Sequence, residues 1–418
     1  MQKKLMAVAV AGALAAPGLA LAQASTVQIG GGINVLYYQH TPHNDNVGRK
    51  GDILEDSESE LFIKGTEALG GGLSAWFQCA SSFEVTTGKG TGSSQTAGIG
   101  AGGFCTRNSG IGFQSNSFGN LFAGNWDLPQ KLVVNRIRGA FSGTNALYGG
   151  AMNLLNGGSA SGTNNAIQSI VPSPAAGAAT GNATAVNNNA QQFYRRQANS
   201  WNYHSPVWSG VQVQAAYSAT NETTGIPAAN PLKPRLWSFA LHYDNGPLYL
   251  GVGYERHNDY NPANTTIGTA ASQYGGGNDH NWTLGAGYTF AGQFKLTGLY
   301  WDSKYQASNV ASSKTKGWAI YGDWTIAGPH SLRAAYANKS DQKGTTSQNV
   351  SAFRAPGPNT GGKWWNVHYE YAMSKRTAAL IGYNHMSNDT LSVFSLGRTT
   401  PTVGSSQTSI GLAIKHKF

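Results

Sequence analysis

The glycines of one short segment have the spacing of a nucleotide-binding motif. Gly98, Gly100 and Gly103 fit the pattern G-x-G-x-x-G. That pattern cradles a pyrophosphate when a strand precedes it and a helix follows it. The flanking sequence has neither pattern. We therefore interpret these glycines as a flexible loop, and we expect no cofactor.

His40, His43 and Asp45 could supply nitrogen and oxygen ligands to a metal ion. They lie in a segment that reads as an exposed loop, so we expect no metal site. The motifs G-x-S-x-G and H-E-x-x-H do not occur in the chain. We accordingly expect no catalytic residues and no enzymatic activity. Basic residues fall mainly on predicted strands, not in a patch with aromatic side chains, so nucleic acid is not an expected partner.

The composition favours a chain made of β-strands. Charged residues are 11% of the 418 residues, whereas soluble domains have roughly 25%. Glycine, with 55 residues, and aromatic side chains, at 11%, are abundant. Beyond the N-terminus the sequence has no run of about 18 apolar residues that would form a transmembrane helix.

The N-terminus has the pattern of a secretory signal. Lys3 and Lys4 precede an apolar run that ends in Ala20-Leu21-Ala22, an A-x-A cleavage site. We therefore predict a signal peptide at 1–22 and a mature chain at 23–418.

Two cysteines in an exported chain make one disulfide plausible. Cys79 and Cys105 are the cysteines of this sequence. Strand alternation places Cys79 on the outer face and Cys105 on the inner face, whereas a cross-strand bridge needs both sulfur atoms on one face. A bridge would therefore require a bulge or a position beyond the pleated part of the strands, and the sequence leaves this open.

Period-two alternation recurs along the mature chain. Trp282, Leu284 and Ala286, for example, alternate with Thr283 and Gly285. Short turns alternate with long polar loops, which is typical of an outer-membrane β-barrel. A soluble sandwich is less favoured, because its core would use more aliphatic residues and its outer face more charges. We predict about 16 strands, near 26–38, 58–67, 73–84, 104–115, 119–127, 194–204, 210–219, 236–243, 247–257, 280–290, 293–304, 315–326, 331–341, 362–372, 376–388 and 407–418. No stretch has a convincing helical period.

One long segment interrupts this rhythm. No charged residue occurs from Gly139 to Tyr194. A structureless loop of this length is unusual. We expect 128–193 to fold into the lumen as a constriction loop, and a loose external loop is the alternative.

Several stretches resemble the general porins of Gram-negative outer membranes, of the beta-proteobacterial type. They are SELFIKGTEALGGGLSAWFQ, RNSGIGFQSNSFGNLFAGN, RQANSWNYHSPVWSGVQVQAAY and YAMSKRTAALIGY. The resemblance implies an all-β, transmembrane antiparallel barrel of sixteen strands that forms a homotrimer and passes small hydrophilic solutes by passive diffusion. It also implies that the third external loop faces a ladder of arginines across the pore.

Arg196 and Arg107 match two positions of that ladder, although the alternation gives Arg107 an awkward face. Glu60 stands where the family has another arginine, and no acidic residue occurs from Leu128 to Asn221. By parity the inward basic residues are Lys64, Lys295, Arg333, Lys339, Lys415 and Lys417, and the inward acidic residues are Glu58, Glu60, Glu255, Asp323 and Glu370. We expect only Asp127 near the cations that begin the loop. The predicted constriction residues are Arg107, Arg196, Glu60, Lys64, Asp127, Arg136 and Arg138. Weak anion preference and no preference both remain open.

The chain ends on the alternating segment SIGLAIKHKF. Its apolar residues are expected to face outer-membrane lipid, and the strand is expected to close the barrel against the first one. By resemblance, Phe418, Ile414 and Leu412 form the signal read by the outer-membrane barrel assembly machinery. A substrate-selective channel, or a surface adhesin or structural barrel with a blocked pore, are the alternatives to a diffusion channel.

Overall fold

The computed structural model describes residues 26–44, 50–90, 104–141, 147–151, 154, 193–219, 235–258, 278–306, 312–345, 356–396 and 402–418. The predicted signal peptide, the G-x-G-x-x-G segment and Asp45 lie outside these residues, as does most of the predicted constriction loop. The described strands close into a sixteen-stranded antiparallel β-barrel, which confirms the predicted fold. No helix in the described ranges is both long and apolar enough to cross a membrane.

The strands follow the predicted order closely. They are β1 (Thr26–His43), β2 (Gly51–Asp56 and Glu60–Gly70), β3 (Leu73–Glu84), β4 (Ser109–Ser115), β5 (Gly119–Asp127), β6 (Arg196–His204), β7 (Val211–Ala219), β8 (Arg235–Asn245), β9 (Leu248–Asn258), β10 (Asn278–Phe290), β11 (Phe294–Gln306), β12 (Ser312–Ala327), β13 (His330–Lys339), β14 (Gly362–Ala372), β15 (Thr377–Asn388) and β16 (Ser406–Lys417). Two short pieces, Lys89–Gly90 and Lys343–Gly344, extend the sheet beyond β3 and β12.

Alternation decides which side chains face out, as the sequence predicts. On β10, Trp282 and Leu284 are 48% and 46% exposed on the outer surface, whereas Thr283 between them is fully buried inside. Successive side chains of a strand point to opposite faces. The outer surface is therefore an apolar belt suited to lipid, and the strands are transmembrane.

The last strand closes the barrel. β16 pairs antiparallel with β1, with Gly32 opposite Lys417, so neither edge is left open. Ile414 and Phe418 are 60% and 46% exposed on the outer face. The predicted orientation of this segment is confirmed.

Three strands differ most from their predicted bounds. β1 continues to His43, past the predicted end at residue 38, so His40 and His43 lie on a strand and not in an exposed loop, and His40 is buried. β2 is interrupted at 57–59, where Glu58 has a φ of 60°, and both of its pieces pair with β1. β4 begins at Ser109, not at residue 104. Cys105, with a φ of 62°, lies before it. Positive φ at these non-glycine residues ends the pleat, and alternation alone gives no sign of it.

The expectation that no helix occurs was wrong. Helix α1 (Pro129–Arg138) follows β5 directly, and a 3₁₀ turn (Gly139–Phe141) follows α1. Proline suits the first turn of a helix, because the amide hydrogen it lacks would have no partner there. Val133, Val134 and Ile137 are buried along one side of α1. The apolar stripe is too short to stand out against the alternation of the neighbouring strands.

Candidate functional site

Helix α1 lies inside the barrel against the inner wall of β8 to β11. A Cβ added at Gly285 would lie 2.6 Å from Ile137 Cγ1, and one at Gly253 would lie 3.1 Å from Gln130 Cα. A Cβ at Gly251 would meet the Tyr249 hydroxyl first and would lie 3.0 Å from Val133 Cγ1. We call Gly251, Gly253 and Gly285 the glycine seat. Their missing side chains let the helix approach the wall.

Polar contacts fix α1 along this wall. Gln130 Nε2 donates hydrogen bonds to Asn281 Oδ1 at 2.9 Å and to Thr283 Oγ1 at 2.7 Å. Thr297 Oγ1 donates to the Ile137 carbonyl oxygen at 2.8 Å. These groups are buried, so each bond replaces one lost to water. The wall and the helix therefore fit each other in polarity as well as in shape.

The far end of α1 reaches the short-turn end of the barrel. Arg136 Nη2 lies 2.5 Å from Asp244 Oδ1, beside the β8–β9 turn. The sequence analysis expected only Asp127 near the cations at the start of the loop, and this expectation was wrong, because Asp244 also pairs with one of them. The two partners are 108 residues apart, and only the closure of the barrel brings them together.

A second stretch of the loop contacts the opposite wall. The Leu147 carbonyl oxygen accepts a hydrogen bond from Asn366 Nδ2 at 2.9 Å. The Tyr148 hydroxyl accepts one from Asn34 Nδ2 at 2.6 Å, and Lys415 Nζ lies 4.2 Å from the Tyr148 ring centroid. The described part of the loop therefore covers the inner wall on two sides of the lumen.

Charged side chains gather where β5 and β6 meet the loop. Asp127 Oδ1 lies 2.8 Å from Lys131 Nζ and 3.1 Å from Arg196 Nη2. Asn108 Oδ1 accepts from Arg196 Nε at 2.6 Å, and the side chains of Asp127, Lys131 and Arg196 are nearly buried. Beside them, Arg107 Nε lies 2.7 Å from Glu60 Oε2. We call Glu60, Arg107, Asp127, Lys131 and Arg196 the ionic cluster, which has three cations and two anions.

Burial acts on the groups that enter this cluster from the loop. It lowers the pKa of Lys131 to about 8, although Asp127 opposes that shift. It also raises the pKa of Tyr194, whose ring centroid lies 4.8 Å from Lys131 Nζ, to about 12. The charge of Lys131 is consequently sensitive to pH near pH 8.

The structure brings four of the predicted constriction residues together and separates the other three. Glu60, Arg107, Asp127 and Arg196 meet in the ionic cluster, which Lys131 completes. Arg138 is only 2% exposed, because its guanidinium donates to the Tyr194 hydroxyl at 2.5 Å and to the Phe141 carbonyl at 2.8 Å. Arg136 pairs with Asp244. Lys64 is exposed on β2, four residues closer than Glu60 to the turn between β2 and β3.

Strand alternation alone does not set the face of Arg196. The β5–β6 register shifts between Gly124 and Trp126, and Asn199 has a φ of 53°. Gln197, opposite Trp126, is therefore buried on the inner face and donates to Ser218 Oγ at 3.4 Å. Arg196 reaches the cluster from the strand end. Arg107 lies outside any strand, so its face is not set by alternation.

The inner wall of β3, β5 and β6 carries rings that the sequence analysis did not single out. Trp76, Phe122 and Trp126 have ring centroids 5.0–5.7 Å apart, and the His204 ring lies 5.2 Å from Phe122. We call these four the aromatic wall. The available signal was the inward parity of Trp76 on β3 and of Phe122 and Trp126 on β5.

A network of charges also crosses the inner wall of β12, β13, β14 and β16. Arg333 Nε lies 2.9 Å from Asp323 Oδ1, and its Nη1 lies 3.1 Å from Glu370 Oε2. Lys415 Nζ lies 3.7 Å from Glu370 Oε2. The inward direction of these side chains agrees with the parity analysis.

Cys79 and Cys105 form a disulfide, with their Cα atoms 4.7 Å apart. Cys105 lies in the connection before β4, so its direction does not follow strand parity. This position beyond the pleat resolves the conflict between the two predicted faces.

Comparisons with known proteins agree with this architecture. The family model described as "Gram-negative porin" matches residues 7–391. The chain is 26% identical over 429 residues to outer membrane porin protein 32 of Delftia acidovorans, with 100% of both chains covered. A solved structure of an anion-selective porin from Comamonas acidovorans is 20% identical, with a TM-score of 0.65, and covers 94% of this chain and 100% of its own. The trimer form of OmpT from Vibrio cholerae is 13% identical, with a TM-score of 0.56, and covers 95% and 100%.

Proposed function

This chain belongs to the Gram-negative porin family, and from that premise we propose that its channel passes small hydrophilic solutes and ions by passive diffusion, with a weak preference for anions. The protein is a multi-pass outer-membrane porin. Its family and its relatives indicate a channel rather than an enzyme.

The ionic cluster is the observation that carries the anion preference. Its three cations outnumber its two anions, and it lies where the constriction loop leaves the barrel wall. Rings of charged side chains tune the selectivity of pores. The anion-selective name of one similar structure supports the proposal, although the likeness itself concerns the fold.

Planar-bilayer recording tests this proposal. Under a tenfold potassium chloride gradient, we expect a reversal potential of the sign that anion flow gives, and a conductance that grows linearly with salt. A reversal potential of the opposite sign would contradict the anion preference. Conductance that saturates with one solute would favour a substrate-selective channel instead.

A blocked barrel is the alternative with a specific observation in its favour. Leu147, Tyr148 and helix α1 cover the lumen wall on two sides. Purified protein that inserts into bilayers but conducts no ions would support an adhesin or structural role. Measurable single-channel steps would exclude it.

We also propose a homotrimer and a C-terminal assembly signal. A relative solved in a trimer form supports the first, and the outward Leu412, Ile414 and Phe418 support the second. Cross-linking of the native protein to a single trimeric band, which dissociates on boiling, is the expected result for the first. A monomeric band under the same conditions would reject it.

A further inference from the structure

The aromatic wall faces the part of the lumen that the described loop leaves uncovered. Helix α1 covers the wall of β8 to β11, and Leu147 and Tyr148 cover the opposite side. Inner-face residues there, such as Thr283, are fully buried. Trp76 and Trp126, by contrast, are half-buried. Solutes that move along the inner wall of β3, β5 and β6 therefore meet these rings.

The rings of the aromatic wall keep a fixed arrangement. The pairs Trp76–Phe122, Trp76–Trp126 and Phe122–Trp126 are all edge-to-face. Trp76 Nε1 also donates a hydrogen bond to Asn120 Oδ1 at 2.8 Å. The indole is thus held in place before a solute arrives, and a preorganised surface loses less entropy on binding.

A cation adjoins these rings. Lys64 lies opposite Gln78 on the β2–β3 ladder, and Trp76 lies opposite Thr66, so Lys64 and Trp76 are diagonal neighbours on the inner face. Lys64 Nζ is 5.2 Å from the Phe62 ring centroid, and its side chain is exposed. Where the structure describes the chain, no carboxylate pairs with Lys64, since Glu60 binds Arg107.

We propose that Lys64 and the aromatic wall form a binding subsite for aromatic carboxylates in transit. The ammonium attracts the carboxylate, and the half-buried indoles of Trp76 and Trp126 receive the ring. This inference rests on the proposed channel function and names one solute class for it. A neutral sugar would contact the rings but would not pair with the ammonium of Lys64. A small aliphatic acid would pair with the ammonium but would not stack on the rings.

The test measures block of chloride current by benzoate in planar bilayers. Benzoate should reduce the open-channel current at a lower concentration than acetate or cyclohexanecarboxylate, which carry the same charge without a flat ring. Methyl glucoside, which is neutral, should block least. Equal half-blocking concentrations for benzoate and cyclohexanecarboxylate would overturn the role of the rings, and equal block by methyl glucoside would overturn the role of the charge.

Variants locate the effect. Trp76→Leu and Trp126→Leu should each raise the half-blocking concentration of benzoate by about 2- to 13-fold, the range expected for one aromatic pair. Trp201→Leu is the matched control, because Trp201 is 60% exposed on the outer face of β6. Lys64→Gln should weaken block by benzoate and by acetate alike.

The outcomes separate this inference from the proposed function. If chloride current persists and benzoate has the same half-blocking concentration in Trp76→Leu and Trp201→Leu, the subsite is rejected and the channel function stands. Absence of chloride current in the unaltered protein would reject the channel itself. The comparison of benzoate with cyclohexanecarboxylate and methyl glucoside uses the unaltered protein, so it tests the subsite even if a variant misfolds.

Discussion

Replacing Asp127 with asparagine tests the ionic cluster directly. Asp127 faces Lys131 at 2.8 Å and Arg196 at 3.1 Å, and all three side chains are less than one tenth exposed. Asparagine keeps nearly the same shape and can still bond to Asn108. The substitution therefore removes one negative charge, and the excess of cations in the cluster rises from one to two.

The size of the effect follows from the distance at which an ion passes. At about 7 Å in water, one unit charge changes the energy of an ion by about 0.6 kcal/mol. That is a factor of about 3 for each ion species, in opposite directions for anions and cations. Screening at about 0.1 M salt roughly halves the energy, so the anion-to-cation permeability ratio should rise about 3-fold. Two buried cations lose their partner as well, which costs about 3–5 kcal/mol of folding stability.

Reversal potentials and thermal unfolding measure the two effects. Asp302→Asn is the matched control, because Asp302 pairs with Lys316 at 2.9 Å on the outer face, where the side chains of Asp302 and Lys316 are 33% and 55% exposed. An exposed pair contributes at most about 1 kcal/mol, and its loss should leave selectivity unchanged. An Asp127→Asn channel with an unchanged reversal potential, or one shifted toward cations, would refute the assignment of the ionic cluster to the ion path.

Three further predictions concern the loop, the pH response and assembly. Gly285→Val should push against Ile137, lower the free energy of unfolding by about 1–3 kcal/mol and reduce conductance. Gly298→Val is the control, because the nearest atom to an added Cβ is 3.9 Å away, and it should change neither stability nor conductance. Equal conductance in the two variants would contradict the glycine seat. Because burial lowers the pKa of Lys131 to about 8, anion preference should fall between pH 7 and pH 9 as its charge is lost, and Lys131→Met should show no such fall. Deletion of Phe418 should reduce the amount of barrel assembled in the membrane more than the conductance of the assembled fraction, and normal assembly would reject the signal.

Alternation along single strands predicts most of the barrel. Trp282 and Thr283 need no partner to reveal their faces, because each strand carries its own period of two and lipid demands apolar residues on one side. The same reasoning places Lys415 inside and Ile414 outside. Strand number and order follow from counting such segments.

The lumen resists this reasoning because its contacts join distant segments. No local pattern connects Arg136 with Asp244, or Tyr148 with Asn34. The positive φ of Asn199 changes the face of Gln197, and the sequence gives no sign of it. Helix α1 is short, so its stability depends on packing against the wall rather than on its own periodicity.

The glycine seat limits how this barrel can exchange parts with its relatives. Gly251, Gly253 and Gly285 belong to the wall, but larger residues there would contact the helix that packs against them. The inner wall of the barrel is therefore complementary in shape to the helix of its own loop. A chimera that receives a foreign third loop would keep hollows shaped for Val133 and Ile137, and a foreign wall would collide with α1. Loop and wall must therefore vary together, and the pore cannot be redesigned by grafting the loop alone.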